Sequence, residues 1–166
     1  MKELVRVIAS GIGSSTNPTR IANTFKSSQG VTIKRDTIKQ YIDYLKDSFL
    51  IEEALRYVKG RKYIGTETKY YFADIGIRAA ILNYRQQEET HIMENIIYNE
   101  LRSRGYNVDV GLVELGGKDK NGKFVRRQLE VDFVVNRPPY RFYTVGFSHA
   151  YAREGTARTS PIIVNQ

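Results

Sequence analysis

Apolar positions recur at helical spacing through the first third of the chain. In ELVRVIASGIG the residues Leu4, Val5, Ile8 and Ile12 fall three and four apart, which predicts a helix. Asn17-Pro18 then supplies an N-cap and a first-turn proline for a second helix, PTRIANTFKSSQ, with Gly30 placed as its stop. A third helix is predicted over RDTIKQYIDYLKDSFLI, where Ile38, Tyr41, Ile42, Leu45 and Phe49 line one face. The pattern then changes. IEEALRYV and RKYIGTETKYYFA read as two strands around Lys59-Gly60, a hairpin turn signal. Three helices followed by a hairpin is the order of a winged helix.

ADIGIRAAILNYR predicts a further helix, and QQEET a polar break. A second region follows, with a helix HIMENIIYNELRSRG, a strand YNVDVGLVEL and a turn-rich GGKDKNGK. The strand RRQLEVDFVVN comes next, and YRFYTVGF as a third strand. Strict alternation in RRQLEVDFVVN places Leu129, Val131, Phe133 and Val135 on one face, and Glu130, Asp132 and Val134 on the other. After Phe147 neither period persists. Residues 137–166 contain no Leu and no Lys yet hold three of the four prolines. We therefore expect a winged-helix domain at 1–86, an α/β domain at 87–147 and an irregular tail at 148–166. A surface tail would account for this change, as would a truncation or a shifted reading frame.

Composition sharpens this reading. A 41% hydrophobic and 27% charged content describes a globular chain, and no apolar run approaches a membrane span of about 18 residues. The N-terminal segment lacks the apolar core of a signal peptide. The absence of cysteine fits a reducing cytoplasm and excludes thiolate metal sites. A net charge of +8 favours polyanion partners. Lys34, Arg35 and Lys39 around the third helix, with Arg56, Lys59, Arg61 and Lys62 in the hairpin, are the candidate nucleic-acid contacts. The outward face of that helix nevertheless carries Asp36, Asp43 and Asp47 beside Lys39, Gln40 and Lys46, a poor complement to phosphate.

The chemistry-bearing candidates are three carboxylates. Glu94 sits within the apolar arc of its helix, where a charge is costly unless paired, hydrogen-bonded or metal-bound. A helix-start cap or a buried backbone contact would account for it equally. Glu130 and Asp132 follow on the strand. Together the three match the order of a PD-(D/E)xK nuclease site, with Glu94 and Asp132 as candidate Mg²⁺ ligands. The next strand, YRFYTVGF, supplies neither the acid nor the lysine that completes such a site. His91 and His149, far apart and without cysteine, make no zinc set. GIGSS (11–15) lacks the lysine of a P-loop, and no Ser-His-Asp set is suggested.

In order, RIANTFKSSQGVTIKRDTIKQYIDYLKDSFLIEEALRY, KYYFADIGIRAAIL, ENIIYNELRSRGYNVDVG and LEVDFVV resemble the C-terminal domain, of unknown function, of bacterial and archaeal AAA-type ATPases. The likeness covers about residues 3–136. It implies an α+β fold, an N-terminal winged helix-turn-helix followed by a truncated restriction-endonuclease-like α/β core. The family's helix glutamate maps onto Glu94 and its strand acids onto Glu130 and Asp132, while YTVG departs from its next motif. The resemblance implies an interaction or regulatory module working with an ATPase module in cis or in trans and contacting nucleic acid or protein. Met1 falls where that ATPase module would end. No cofactor is required on this reading. Mg²⁺ enters only if the chain is a nuclease, the first alternative; a winged-helix DNA-binding regulator is the second.

Overall fold

The structure is a computed structural model that describes residues 1–58, 61–62, 67–85, 88–118, 122–137, 141–146 and 162–165. It is mixed α+β, with two compact units. Neither is continuous in sequence. The first comprises Met1–Leu55 and Gly65–Glu100, the second Arg56–Ile64 and Leu101–Gln166.

The first unit opens with α1 (Lys2–Ser10), α2 (Pro18–Gln29) and α3 (Arg35–Asp47). The Asn17 side chain accepts from the Arg20 amide at 2.8 Å, and Pro18 needs no partner in the first turn. Gly30 ends α2 at φ +67°, the left-handed conformation that glycine adopts without a Cβ clash. Leu4, Ile8, Ile12, Ile38, Ile42 and Leu45 are buried, as the spacing predicts, while Val5 and Tyr41 are half-buried; Ile21 and Phe25 of α2 are buried with them. Phe49 departs from the spacing. The helix stops at Asp47, and the Phe49 amide turns back to the Lys46 carbonyl. With φ at +56°, its side chain is thrown outward and left 82% exposed.

Beyond it, β1 (Ile51–Ala54) pairs antiparallel with β4 (Lys69–Phe72), with Ile51 opposite Phe72 and Ala54 opposite Lys69. Thr16 joins this ladder, exchanging two 2.8 Å backbone hydrogen bonds with Thr68. The short α4 (Ile75–Ile81) is capped by Asp74, which accepts from the Ile77 amide. Arg78 fastens it to α1. Its buried guanidinium donates from Nε to the Ala9 carbonyl at 2.9 Å, and burial holds its pKa below the ordinary arginine value. The chain leaves α4 through left-handed Asn83 and Tyr84, so the helix is shorter than the segment 73–85 predicted from pattern. The longer helix α5 spans Glu89–Ser103, and its residues up to Glu100 belong to this unit.

The two strands expected around Lys59-Gly60 are each divided. Their bases are β1 and β4. Nearer the turn lie β2 (Arg56–Val58) and β3 (Arg61–Lys62), which pair with each other in the second unit. There they join β5 (Asn107–Lys118), β6 (Phe124–Arg137), β7 (Arg141–Gly146) and β8 (Ile162–Asn165) in one sheet, ordered β3-β2-β5-β6-β7-β8. Among its described residues β2 and β5 run parallel and the other neighbours antiparallel. The tail was expected to be irregular over 148–166, yet its β-branched run Ile162–Val164 gives β8, antiparallel to β7.

Strict alternation fails in β6. Asp109 faces Val134 while Gly111 faces Val131, so Asp132 and Phe133 together oppose the single residue Val110. This bulge resets the faces. Val131 and Val134 both lie over Gly111, where a Cβ would meet them at 3.0 and 2.8 Å. Glu130, opposite Leu112, returns to the side of Val110. Glu130 and Val134 are therefore not on one face, as alternation alone requires. Among the described residues of this sheet, Val108, Val110, Phe133 and Val135 are buried.

Candidate functional site

Glu94 is the best-defined of the candidate residues, and its surroundings arise from α5 and β4. β4 presents Lys69 and Tyr71 two residues apart, hence on one face of the strand. Lys69 Nζ donates to Glu94 Oε1 at 2.9 Å, and the Tyr71 hydroxyl donates to the same oxygen at 2.6 Å. The lysine and glutamate side chains are 6% and 14% exposed. Glu94 is thus neither a helix cap nor an amide acceptor; it is half of a nearly buried ion pair. Oε2 faces Gly13 and His91. A Cβ at Gly13 would lie 3.1 Å from Glu94 Oε2 and from His91 Nδ1, a tight approach, and φ there is +71°, a conformation that favours glycine. His91 Nδ1 stands 3.9 Å from Oε2, beyond hydrogen-bond distance, and Nε2 lies 3.4 Å from Glu88.

The rest of the same helix face is spent on backbone. Asn95, fully buried, accepts from the Phe72 amide and donates to the Phe72 carbonyl, both at 2.8 Å. Its side-chain amide completes the edge of β4 as another strand would. Asn99 donates to the Phe72 and Ala73 carbonyls at 2.9 and 3.1 Å. Tyr98 stacks on Tyr71 with ring centroids 4.2 Å apart and donates to Glu52 at 3.2 Å. Glu94, Asn95, Tyr98 and Asn99 sit at i, i+1, i+4 and i+5, one helical face, and hold α5 against β4. Sequence reasoning singled out Glu94 and passed over Lys69, Tyr71, Asn95 and Asn99. The signal was present in the two asparagines four apart within a helix, residues that disfavour helix interiors unless their amides are used.

Glu130 and Asp132 belong to the other unit. Glu130 Oε2 is 3.5 Å from Arg56 Nη2, an ion pair spanning β5 from β6 to β2. Asp132 lies at the bulge. Within each unit, among the described residues, no three His, Cys, Asp or Glu gather as a metal-holding group.

Of the basic candidates, Lys34, Arg35 and Lys39 are exposed at the start of α3, where Lys34 is the N-cap without a side-chain bond. Arg56 is engaged with Glu130. Arg61 and Lys62 form β3, and Lys59 lies outside the described residues. On α3, Lys46 turns to Glu53 of β1 and approaches Asp43 at 3.9 Å. Asp36 lies 3.7 Å from Arg35 Nε, and Asp47 and Lys39 are exposed. Tyr70, at the centre of β4, has its pKa pushed up to about 12, chiefly by burial, with the Glu53 and Asp43 carboxylates adding to it.

Among the described residues no helix is long and apolar enough to cross a membrane. The chain belongs to a family described as a domain of unknown function (DUF8612), whose model matches residues 1–88. A relative in Haemophilus influenzae, called only an uncharacterized protein, is 34% identical over 138 residues, which is 82% of this chain. That alignment covers 31% of the relative, so the chain spans less than a third of it. No solved structure matches the chain.

Proposed function

We propose that this chain is a non-catalytic docking module of an AAA-type ATPase, with its first unit built as a winged helix. Three helices, then β1 and β4 joined by Thr16 as a third extended segment, support the winged-helix reading. The ordered resemblance over residues 3–136 supports the ATPase association, and the relative is long enough to hold an ATPase module outside the aligned part.

The observation that carries the non-catalytic reading is the environment of Glu94. A nuclease of this type would need that carboxylate open to a divalent cation. Here one oxygen accepts from an ammonium and a phenol, so a cation at that oxygen would have to displace two donors. The acidic outer face of α3 argues for protein over nucleic acid.

Incubation with supercoiled plasmid in Mg²⁺ or Mn²⁺ tests this. We expect no nicking. Cleavage abolished by Asp132→Ala would replace the proposal with the nuclease reading. The ATPase association is tested by calorimetry with ATP: the longer relative should bind it and this chain should not. Silence from the relative, or binding by this chain, would defeat it.

A further inference from the structure

We infer that a cavity in the first unit, between the end of α1, the GIGSS segment (11–15), α2 and β4, binds a neutral saturated ring bearing several hydroxyls, the chemistry of a monosaccharide. This goes beyond the docking reading and does not depend on it. The cavity has a volume of about 230 Å³. An apolar cavity of about 150 Å³ already admits a benzene ring, so a six-membered ring with substituents fits here.

Two kinds of side chain line the space. Val7, Ile8 and Ile21 supply aliphatic surface, and Ile8 and Ile21 are buried. Ser10, Ser14, Ser15, Thr16, Thr24 and Tyr70 supply hydroxyl-bearing side chains. Ser10, Ser14 and Thr24 are exposed and Tyr70 is buried, so such side chains border the cavity both toward solvent and inside. Ser10 Oγ donates to the Val7 carbonyl at 3.0 Å and Thr24 Oγ1 to the Arg20 carbonyl at 3.1 Å, which leaves both oxygens as acceptors. The Ser14 and Thr16 side chains make no hydrogen bond among the described residues, so each can donate as well.

This lining selects the class of ligand. Among the described residues no Lys, Arg, His, Asp or Glu lines the cavity. A phosphate, carboxylate or ammonium would enter without a counter-charge, which disfavours every charged ligand. Hydroxyls both donate and accept, and so match the groups of a polyol in either role. Flat nucleobases are held by stacking on aromatic faces, whereas this wall is aliphatic apart from Tyr70. The C–H surface of a saturated ring suits it better.

Gly11 keeps the space open without being needed by the fold. Its φ of −101° is open to any residue, and an added Cβ would meet only the Val7 carbonyl oxygen, at 3.5 Å, an ordinary contact. A larger side chain at this lining position would intrude on the cavity.

The test follows backbone amide shifts of the isotope-labelled whole chain during titration with glucose, methyl glucoside, ribose, adenosine and inorganic phosphate. At least one of the three sugars should bind saturably, in the millimolar range, and move the amides of residues 10–16. Methyl glucoside binding more tightly than glucose supports the end of a glycan as the source, and the reverse supports a free sugar. Gly11→Leu should abolish these shifts with an unchanged urea midpoint. Thr16→Val, which removes one hydroxyl and keeps the extended backbone, should weaken binding about fivefold.

Absence of saturable shifts with all three sugars overturns the inference. Undiminished affinity in a folded Gly11→Leu protein does the same, as does undiminished affinity in Thr16→Val should Gly11→Leu fail to fold. Adenosine or phosphate binding at these amides more tightly than every sugar overturns the ligand class.

Discussion

Glu94 and Lys69 place opposite charges where water barely reaches, so removing one deprives the other of an opposite charge 2.9 Å away. Lys69→Met should destabilise the chain by about 3 kcal/mol, on the scale of broken buried pairs. Chemical denaturation of Lys69→Met, Glu94→Gln and the double variant measures the coupling. The double variant should lose clearly less than the sum of the singles. Tyr70 makes a pH-dependent contribution. Its folded pKa of about 12 lies above the unfolded value near 10. The stability it adds is complete below pH 10 and is lost as pH rises through 12, at about 1.4 kcal/mol per pH unit in that window. Tyr70→Phe should therefore show a shallower fall of stability with alkaline pH, read from urea midpoints between pH 9 and 11 (roughly the span over which its ionisation begins to matter).

Helix α5 is fixed to β4 by amides as much as by apolar contact. Asn95 bonds both backbone groups of Phe72, and its truncation leaves the amide without that acceptor while the carbonyl keeps its bond from Asn99. Asn95→Ala should cost about 1–3 kcal/mol, the usual penalty for one buried donor left without its acceptor. Amide exchange at Phe72 should accelerate with it.

At this scale it is also clear what sequence alone could reveal. The caps at Asn17 and Gly30 and the inward faces of α1 to α3 follow from local chemistry, since spacing and backbone preference decide them. Phe49 fits the same apolar period yet points outward, because the helix ends two residues earlier. Periodicity cannot see a helix end that lacks glycine or proline. The bulge at Asp132 was hidden likewise. Its one trace was Gly111, an isolated glycine in a strand pattern on the neighbouring strand. The partners of Glu94 lie 23 and 25 residues back, on a strand that no local window joins to α5.

For the whole molecule, charge distribution decides more than net charge. A +8 chain with an acidic outer face on α3 should bind duplex DNA only weakly and without sequence preference. Gel shifts against a genomic fragment pool should show no retained site, and any mobility change should vanish by about 0.2 M salt.

The chain's excursion into the second sheet constrains how the protein is made. The β2–β3 hairpin is synthesised well before β5, with β4, α4 and α5 emerging in between. Translation at about 5–20 residues per second leaves that hairpin waiting for seconds beside the ribosome. Two strands so short do not hold together in water alone. The first unit must therefore close around a loop that is still unformed, and the second can be completed only by reaching back for it. A nascent chain stalled before β5 should carry β2 and β3 in protease-sensitive form, and both should become protected when synthesis resumes.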